Sequence, residues 1–95
     1  MFFVYLLQHS ITLELYIGYT NDIKRRIKEH NRKGNKFTDR KEGEWLLIYC
    51  EIYKSQADAT KRESRLKSHG SGKYELYKRL QNSLLPKTGD GKRSG

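Results

Sequence analysis

Apolar residues are grouped along the chain into three runs that predict strands. Residues 2–8 are almost continuously apolar and aromatic, which predicts a strand buried on both faces. A short polar break separates this run from a second one, residues 13–19, so the pair predicts an antiparallel hairpin. Residues 45–53 form a third run, which begins with the only tryptophan, Trp45.

Helical spacing appears between the second and third strands. Asn21 or Asp22 offers a side-chain cap for a helix over residues 23–32. The polar residues 33–44, which include Gly34 and Gly43, predict a loop that leads to the third strand.

Two further helices are predicted after the third strand. Ser55-Gln56-Ala57-Asp58 resembles a capping box and opens a helix to about His69, where Gly70 and Gly72 are expected to break it. A last helix is expected over residues 73–84, stopped by Pro86. The predicted fold class is α+β, a three-stranded antiparallel sheet (a hairpin plus a third strand) flanked by three helices.

The length and the charge of the chain limit its architecture and its partners. Its 95 residues predict one domain, residues 1–85, followed by a basic tail, residues 86–95, that is expected to be disordered. With 20 Lys and Arg against 11 Asp and Glu, the net charge is +9. Such a balance favours a polyanion as partner, and nucleic acid is the first candidate.

Cysteine content and hydropathy exclude several classes of protein. Cys50 is the only cysteine, so an intrachain disulfide and a thiolate metal cluster are excluded. It lies in an apolar run and is expected to be a small buried residue. This usage is consistent with a reducing, cytoplasmic location. No apolar stretch approaches the roughly 20 residues that cross a bilayer, so no membrane partner is expected.

The first predicted helix carries two polar residues on its apolar stripe. With Ile23 at 0°, a turn of about 100° per residue places Ile27 near 40°, His30 near 340° and Arg26 near 300°. The other charged residues of this helix, among them Arg25, fall outside that sector and are expected to face water. Arg26 and His30 are therefore presented toward the sheet. A guanidinium held there suits a phosphate. The alternative is a snorkelling arginine beside an ordinary boundary histidine.

Glu63 is the corresponding exception on the second helix. It shares a stripe with Ala59 and Leu66 at spacings of four and three residues. A carboxylate on this packed side could hold a hard divalent cation such as Mg²⁺. The alternative is a salt bridge, to Arg62, Lys67 or Arg26.

Two strand tyrosines complete the candidate set. Tyr5 and Tyr16 are eleven residues apart, so a tight hairpin can place them side by side on one face. The alternative is that both are ordinary hairpin core residues. Gly18 suits a place where a backbone or a ligand approaches closely.

The ordered set Val4-Tyr5, Tyr16-Ile17-Gly18, Arg26, His30 and Glu63 resembles the GIY-YIG endonuclease superfamily over about residues 2 to 84. The resemblance is closest to its small single-domain members. It implies a sheet flanked by helices, and a shallow cleft in which one divalent ion, Mg²⁺ or Mn²⁺, serves phosphodiester hydrolysis. The implied substrate is DNA, with RNA as the alternative.

The resemblance also implies a role for each matching residue. Tyr5 would be the general base or the group that positions water, and Tyr16 would orient water or phosphate. Arg26 would stabilise the phosphate, and His30 would assist proton transfer. Glu63 would be the metal ligand. Whether Tyr5 or His30 is the base stays open, because a free tyrosine has a pKa near 10.

The chain departs from the family pattern in three places. Its first motif is Phe-Val-Tyr, which lacks the usual glycine but keeps the tyrosine. Asn82 is the only asparagine after Glu63, at a spacing too long for the supporting asparagine of many members. No additional DNA-recognition domain is present in these 95 residues.

Exposed basic residues support two alternatives to an enzyme. A non-catalytic nucleic-acid-binding module would need only the positive charge, and a small scaffold could use its tyrosines as a protein-binding face. The basic residues expected to bind nucleic acid are Lys24, Arg25, Lys28, Lys61, Arg62, Arg65 and Lys67.

Overall fold

The fold was analysed in a computed structural model, which describes residues 1–32, 42–68 and 70–86. Within these residues the chain forms three strands and three helices. They are, in chain order, β1 (Phe2–His9), β2 (Leu15–Thr20), α1 (Ile23–Asn31), β3 (Trp45–Tyr53), α2 (Gln56–Lys67) and α3 (Ser71–Arg79).

The three strands form one antiparallel sheet in the order β2-β1-β3. β1 is central, and every residue from Val4 to His9 is buried, because helices cover both faces of the sheet at this strand. The predicted fold class and the predicted burial of this strand on both faces are therefore confirmed. β2 is an edge strand, so its outer edge is not hydrogen-bonded to another strand of the described chain.

The two faces of the sheet carry separate apolar clusters. Val4 and Leu6 point to the face covered by α2 and α3, where they pack with Leu66 and Leu76. Alternation along the strand sends Tyr5 and its neighbour Leu7 to the opposite face, which α1 covers. The residues that complete this second cluster are Trp45, Tyr16, Ile23, Ile27 and Cys50.

The helix starts follow from side-chain caps. Asp22 caps α1 by accepting a hydrogen bond from the backbone N–H of Arg25 at 3.1 Å. Ser55 caps α2 in the same way, through the N–H of Asp58 at 3.3 Å. Each cap satisfies an N–H group that has no partner within its helix. Both predicted N-termini are confirmed.

Two predicted boundaries near the first hairpin and the second helix differ from the structure. β2 begins at Leu15 rather than residue 13, because Leu13 has a positive φ of 65° within the turn and cannot extend the ladder. α2 ends at Lys67, and His69 lies outside the described residues.

The third helix also differs from its prediction. α3 begins at Ser71 rather than residue 73, so Gly72 lies inside the helix and does not break it. It ends at Arg79 rather than residue 84. Beyond it the backbone turns, with the N–H of Leu84 bonded to the carbonyl of Leu80 at 2.9 Å. The N–H of Leu85 then donates to the side chain of Gln8 at 2.8 Å, which ties this end of the domain to the central strand.

Three further expectations concern the loop, the tail and Cys50. Residues 33–41 of the predicted loop and 87–95 of the predicted tail lie outside the described part of the chain. Cys50 packs against the second apolar cluster but is only partly buried, whereas it was expected to be buried, and burial raises the pKa of its thiol. None of the helices in the described ranges combines the length and the apolar character that a membrane span needs.

Candidate active site

The hairpin register places the two candidate tyrosines on one face. Tyr5 lies opposite Gly18, and Tyr16 lies opposite Leu7, so the tyrosines are diagonal neighbours. Their rings are stacked, with centroids 6.3 Å apart and planes 23° from parallel. This proximity is the one expected from their spacing in the sequence.

Gly18 makes room for the phenol of Tyr5. A Cβ atom at residue 18 would overlap the hydroxyl end of the Tyr5 ring. The sequence predicted that a backbone or a ligand approaches Gly18 closely, but the group that does so is the side chain of Tyr5. The Tyr5 ring can therefore lie against Gly18 of β2, with only 1% of the surface of Tyr5 exposed.

α1 brings Arg26 and His30 to the Tyr5 hydroxyl. Nε2 of His30 lies 3.0 Å from the Tyr5 oxygen, and Nε of Arg26 donates to the same oxygen at 3.4 Å. The His30 ring also meets Tyr16 edge-on, with centroids 4.6 Å apart. The Tyr5 phenol thus contacts both a cation and an imidazole. The apolar stripe of α1 predicted that both residues are presented toward the sheet. His30 is buried, with 3% of its surface exposed, and is not a boundary histidine.

Glu29 is the acidic neighbour of this group, and the sequence prediction for it was wrong. Its carboxylate accepts a hydrogen bond from Nη1 of Arg26 at 2.9 Å and is partly buried, whereas it was expected to face water. Arg26 therefore does not snorkel freely to solvent. The hydrogen bonds to Tyr5 and Glu29 raise the pKa of Arg26, so its guanidinium stays charged.

Burial moves the pKa values of Tyr5 and His30 in opposite directions. It raises the pKa of Tyr5 to about 12, although the hydrogen bond from Arg26 acts against this shift. Burial, and then the nearby Arg26 cation, lower the pKa of His30 to about 4. His30 is consequently neutral near pH 7, and its Nε2 can accept the proton of the Tyr5 hydroxyl.

Glu63 reaches the same region from α2. Nζ of Lys67, one turn later, lies 3.0 Å from Oε2 of Glu63 and 5.9 Å from the centroid of the Tyr16 ring. The negative charge of Glu63 is close enough to Tyr5 to raise the pKa of that phenol. The salt bridge that the sequence offered as the alternative for Glu63 is therefore present, with Lys67 as partner.

The donor set at Glu63 suits one particular kind of metal ion. Among the described residues, no group of three or more His, Cys, Asp or Glu side chains is arranged to hold a metal. A single half-buried carboxylate suits Mg²⁺ or Mn²⁺, which keep several waters and take further ligands from substrate phosphates. One carboxylate alone does not provide enough ligands for a metal site that is built wholly from protein side chains.

The basic residues expected to bind nucleic acid are not equivalent in the structure. Arg62 is the exception to their predicted exposure, because its Nε and Nη2 atoms each lie 2.9 Å from an oxygen of Glu51. Lys67 is exposed but is paired with Glu63. The others are exposed at the surfaces of α1 and α2: Lys24, Arg25, Lys28, Lys61 and Arg65.

Glu51 is an important residue that the sequence analysis missed. Its carboxylate accepts hydrogen bonds from the hydroxyls of Tyr49 at 2.7 Å and Tyr53 at 2.6 Å, besides those from Arg62. Although burial opposes it, these bonds lower the pKa of Glu51. Alternating Tyr49, Glu51 and Tyr53 was the available signal, since strand residues at a spacing of two share a face. The cluster anchors α2 to β3 immediately before Glu63.

Within the described part of the chain, two open grooves flank the candidate site. One, of about 510 Å³, is lined by Thr20, Arg25, Arg26 and Glu29 among others. The second, of about 230 Å³, is lined by Tyr16 and by residues of α2 and α3. Asn82, whose role the sequence left open, is exposed in the turns after α3.

Comparisons with known proteins agree with this geometry. A family model described as the GIY-YIG catalytic domain matches residues 1–78. A UPF0213 protein of Bacillus velezensis is 36% identical over 81 residues, covering 80% of this chain and 81% of that protein. A UPF0213 protein of Staphylococcus aureus is 37% identical over 68 residues, covering 70% of this chain and 80% of the other. The solution NMR structure of a UPF0213 protein from Bacillus halodurans matches with a TM-score of 0.51 and 34% identity, covering 84% and 85% of the two chains.

Proposed function

The chain belongs to the GIY-YIG catalytic domain family, a family of nucleases, and we propose that it is a metal-dependent endonuclease that hydrolyses phosphodiester bonds in DNA. The observation that carries the proposal is the position of the Tyr5 hydroxyl, within 3.4 Å of Arg26 and 3.0 Å of His30. Tyr5, Tyr16, Arg26, His30 and Glu63 are the proposed catalytic residues.

Tyr5 and His30 are proposed to act together on the attacking water. The Tyr5 oxygen takes a proton from water while its own proton passes to Nε2 of neutral His30. Burial raises the pKa of Tyr5 to about 12 and lowers that of His30 to about 4, so the proton stays on Tyr5 until attack begins. Transfer from Tyr5 to His30 is therefore coupled to attack and does not precede it. This assignment makes His30 the final proton acceptor and Tyr5 the relay.

Arg26 and Tyr16 are proposed to act on the phosphate. The planar guanidinium of Arg26 can donate two parallel hydrogen bonds to phosphate oxygens and offset the charge that grows during attack. Tyr16, stacked on Tyr5, offers its hydroxyl to water or phosphate. Glu29 holds Arg26 through Nη1, so a phosphate that engages this atom competes with the carboxylate.

Glu63 is proposed to hold the metal ion. One bound Mg²⁺ or Mn²⁺ would polarise the scissile phosphate and stabilise the leaving oxygen. The ion pair with Lys67 holds the Glu63 carboxylate close to Tyr16. Lys67 also brings a second cation to the place where the phosphate would bind.

A non-catalytic nucleic-acid-binding module is the second candidate function. The net charge of +9 and the exposed lysines and arginines of α1 and α2 favour it. Such a module would bind nucleic acid in a salt-dependent way and would lose little affinity when Glu63 is replaced.

Cleavage assays with paired variants test the enzyme. Single-stranded, duplex and branched DNA would each be incubated with Mg²⁺ and with wild type, Arg26→Lys or Arg25→Lys. Loss of the guanidinium that contacts Tyr5 should reduce the rate by roughly 10²- to 10³-fold. Arg25→Lys is the matched control, because Arg25 is the adjacent, exposed arginine and does not contact Tyr5, and its effect on the rate should be much smaller than that of Arg26→Lys.

A second pair of variants separates metal binding from nucleic-acid binding. Glu63→Gln should abolish cleavage and weaken Mn²⁺ binding measured by electron paramagnetic resonance, while DNA binding persists. Glu75→Gln, on exposed α3, should change neither. The enzyme would be rejected, and the binding module favoured, if wild type cleaved none of the substrates. The same conclusion would follow if the Arg26 and Glu63 variants cleaved DNA as fast as wild type.

A further inference from the structure

A groove beside Tyr16 contains residues that the proposed catalytic set does not use. It has a volume of about 230 Å³ and lies between β2, the end of α2 and the start of α3. Tyr16 belongs to both the groove and the candidate active site. The lining residues are Leu15, Tyr16, Ile17, Lys67, Lys73 and Tyr77.

α3 supplies the two new polar groups of this groove. Lys73 and Tyr77 are four residues apart and therefore lie on one side of the helix. Leu76 and Leu80 occupy the neighbouring side, where they are buried in the core and hold α3 in position. Lys73 forms no ion pair with another residue in the described ranges, whereas Lys67 is paired with Glu63. An ammonium group and an aromatic ring thus face the groove from a well-anchored helix.

We propose that this groove is a subsite for a nucleotide that flanks the scissile phosphate of a single strand. Lys73 contacts the phosphate of this flanking nucleotide. The ring of Tyr77 stacks on its base, above the apolar side chains of Leu15 and Ile17. The subsite rests on the proposed nuclease function, because the strand has to pass Tyr16. It adds α3 to the substrate-binding surface.

The second groove indicates the path of the nucleic-acid strand across the protein. It is lined by Tyr19 and Thr20 from the other end of β2, together with Arg25 and Arg26 of α1. Tyr16 and Thr20 are four residues apart, which corresponds to about 13 Å along a strand. The candidate site lies between the two grooves, since Tyr16 lines one and Arg26 lines the other. A nucleic-acid strand lying along the exposed edge of β2 would contact positive charge on both sides of the site.

The chemistry of the groove favours a single strand over a duplex. A tyrosine ring can stack on a base only when that base has left its own stack, which costs a duplex unpairing energy. Stacking on aromatic side chains together with a basic track is the usual mode by which proteins hold single strands. The mixture of two lysines, two tyrosines and apolar side chains matches this mode.

The phosphate contact is tested by salt-dependent binding. The affinity for a labelled single-stranded oligonucleotide would be measured by fluorescence anisotropy, with the metal chelated to prevent cleavage. For a single strand, each phosphate contact contributes about −0.7 to the slope of log K against log salt concentration. Lys73→Ala should make the slope shallower by about this amount. Lys78→Ala is the matched control on the exposed side of α3, and it should leave the slope unchanged.

The base contact is tested with an abasic strand. Tyr77 lines the groove and is also partly buried against the core, so Tyr77→Leu keeps an apolar side chain there but removes the ring. This variant should weaken single-strand binding by about 5- to 150-fold. Tyr74→Leu, which removes an exposed ring on the same helix, should have no effect. The loss for Tyr77→Leu should vanish when the oligonucleotide lacks bases. Circular dichroism melts would show that both variants remain folded.

The outcomes distinguish failure of the subsite from failure of the nuclease. If wild type cleaves DNA and Lys73→Ala and Tyr77→Leu bind like their controls, the subsite is wrong and the nuclease proposal stands. An equal effect of Tyr77→Leu on normal and abasic strands would also overturn base stacking. If wild type binds no oligonucleotide at low salt, both proposals are wrong.

Discussion

The hydroxyl of Tyr5 lies 3.0 Å from Nε2 of His30, and the two groups have pKa values displaced away from each other. Burial keeps the phenol protonated and the imidazole neutral across the physiological pH range. Before any substrate binds, the pair therefore consists of a protonated phenol and an unprotonated imidazole nitrogen that can accept the proton. The pH dependence of this protein follows from that arrangement.

The rate of cleavage should be independent of pH between about pH 6 and 9 at saturating metal. With a pKa of about 4, His30 is already neutral throughout this range. An acidic limb centred near pH 6.5, or a tenfold rise per pH unit, would contradict a relay through His30. In His30→Gln, the residual rate should instead rise with pH, because Tyr5 then has to ionise without an acceptor.

Stability should fall as the pH is lowered from 6.5 to about 4. The folded pKa of His30, about 4, lies below its ordinary value of 6.5, so the unfolded chain takes up the proton first. Neutral His30 contributes about 3 kcal/mol to the free energy of unfolding above pH 6.5. This contribution is lost as the pH falls toward the folded pKa. Urea unfolding at several pH values measures it. His30→Gln should remove this part of the dependence, and an unchanged profile in that variant would contradict the assignment.

Gly18→Ala should disturb Tyr5 more than the fold as a whole. The added methyl group overlaps the phenol, so the ring has to move or the strands have to separate. Overpacking of this kind costs about 1–3 kcal/mol. Cleavage should fall by a larger factor than the lost stability explains, because Tyr5 leaves Arg26 and His30. Gly70→Ala is the control, since its nearest neighbour is 3.6 Å away. Full activity of Gly18→Ala would show that Tyr5 tolerates displacement.

Glu51→Ala should be among the most destabilising charge removals in the described chain. It leaves Arg62 half-buried without its carboxylate and removes the acceptor of two tyrosine hydroxyls. Breaking a buried pair costs about 3 kcal/mol. Glu75→Ala breaks an exposed ion pair and should cost less than about 0.5 kcal/mol. Denaturant titrations compare the two, and similar values would mean that the Glu51 cluster is not a structural anchor.

The strands and the α1 part of the site could be predicted because their determinants are local. A continuous apolar run predicted a doubly buried β1, and angles on a helical wheel placed Arg26 and His30 on the packed side. These inferences need only the periodicity of one element.

The features that escaped prediction depend on contacts between elements. Arg62 was expected to bind nucleic acid or to pair with Glu63, because the partner that binds it, Glu51, is eleven residues away on another element. Gly72 looked like a helix breaker, yet packing of α3 overrides its weak propensity. The groove with Lys73 and Tyr77 exists only once α3 is docked beside β2, which no pattern within α3 specifies.

The position of Tyr5 on the central strand has a consequence for how this protein can change. Backbone amides of a strand hydrogen-bonded on both sides exchange with solvent only when the whole domain opens, so Tyr5 should be in the slowest-exchanging segment. A reactive group built into the most protected part of the sheet needs no ordering when a ligand arrives. Changes in target preference would then arise from substitutions on the surrounding helix surfaces, because these can vary without destabilising the central strand.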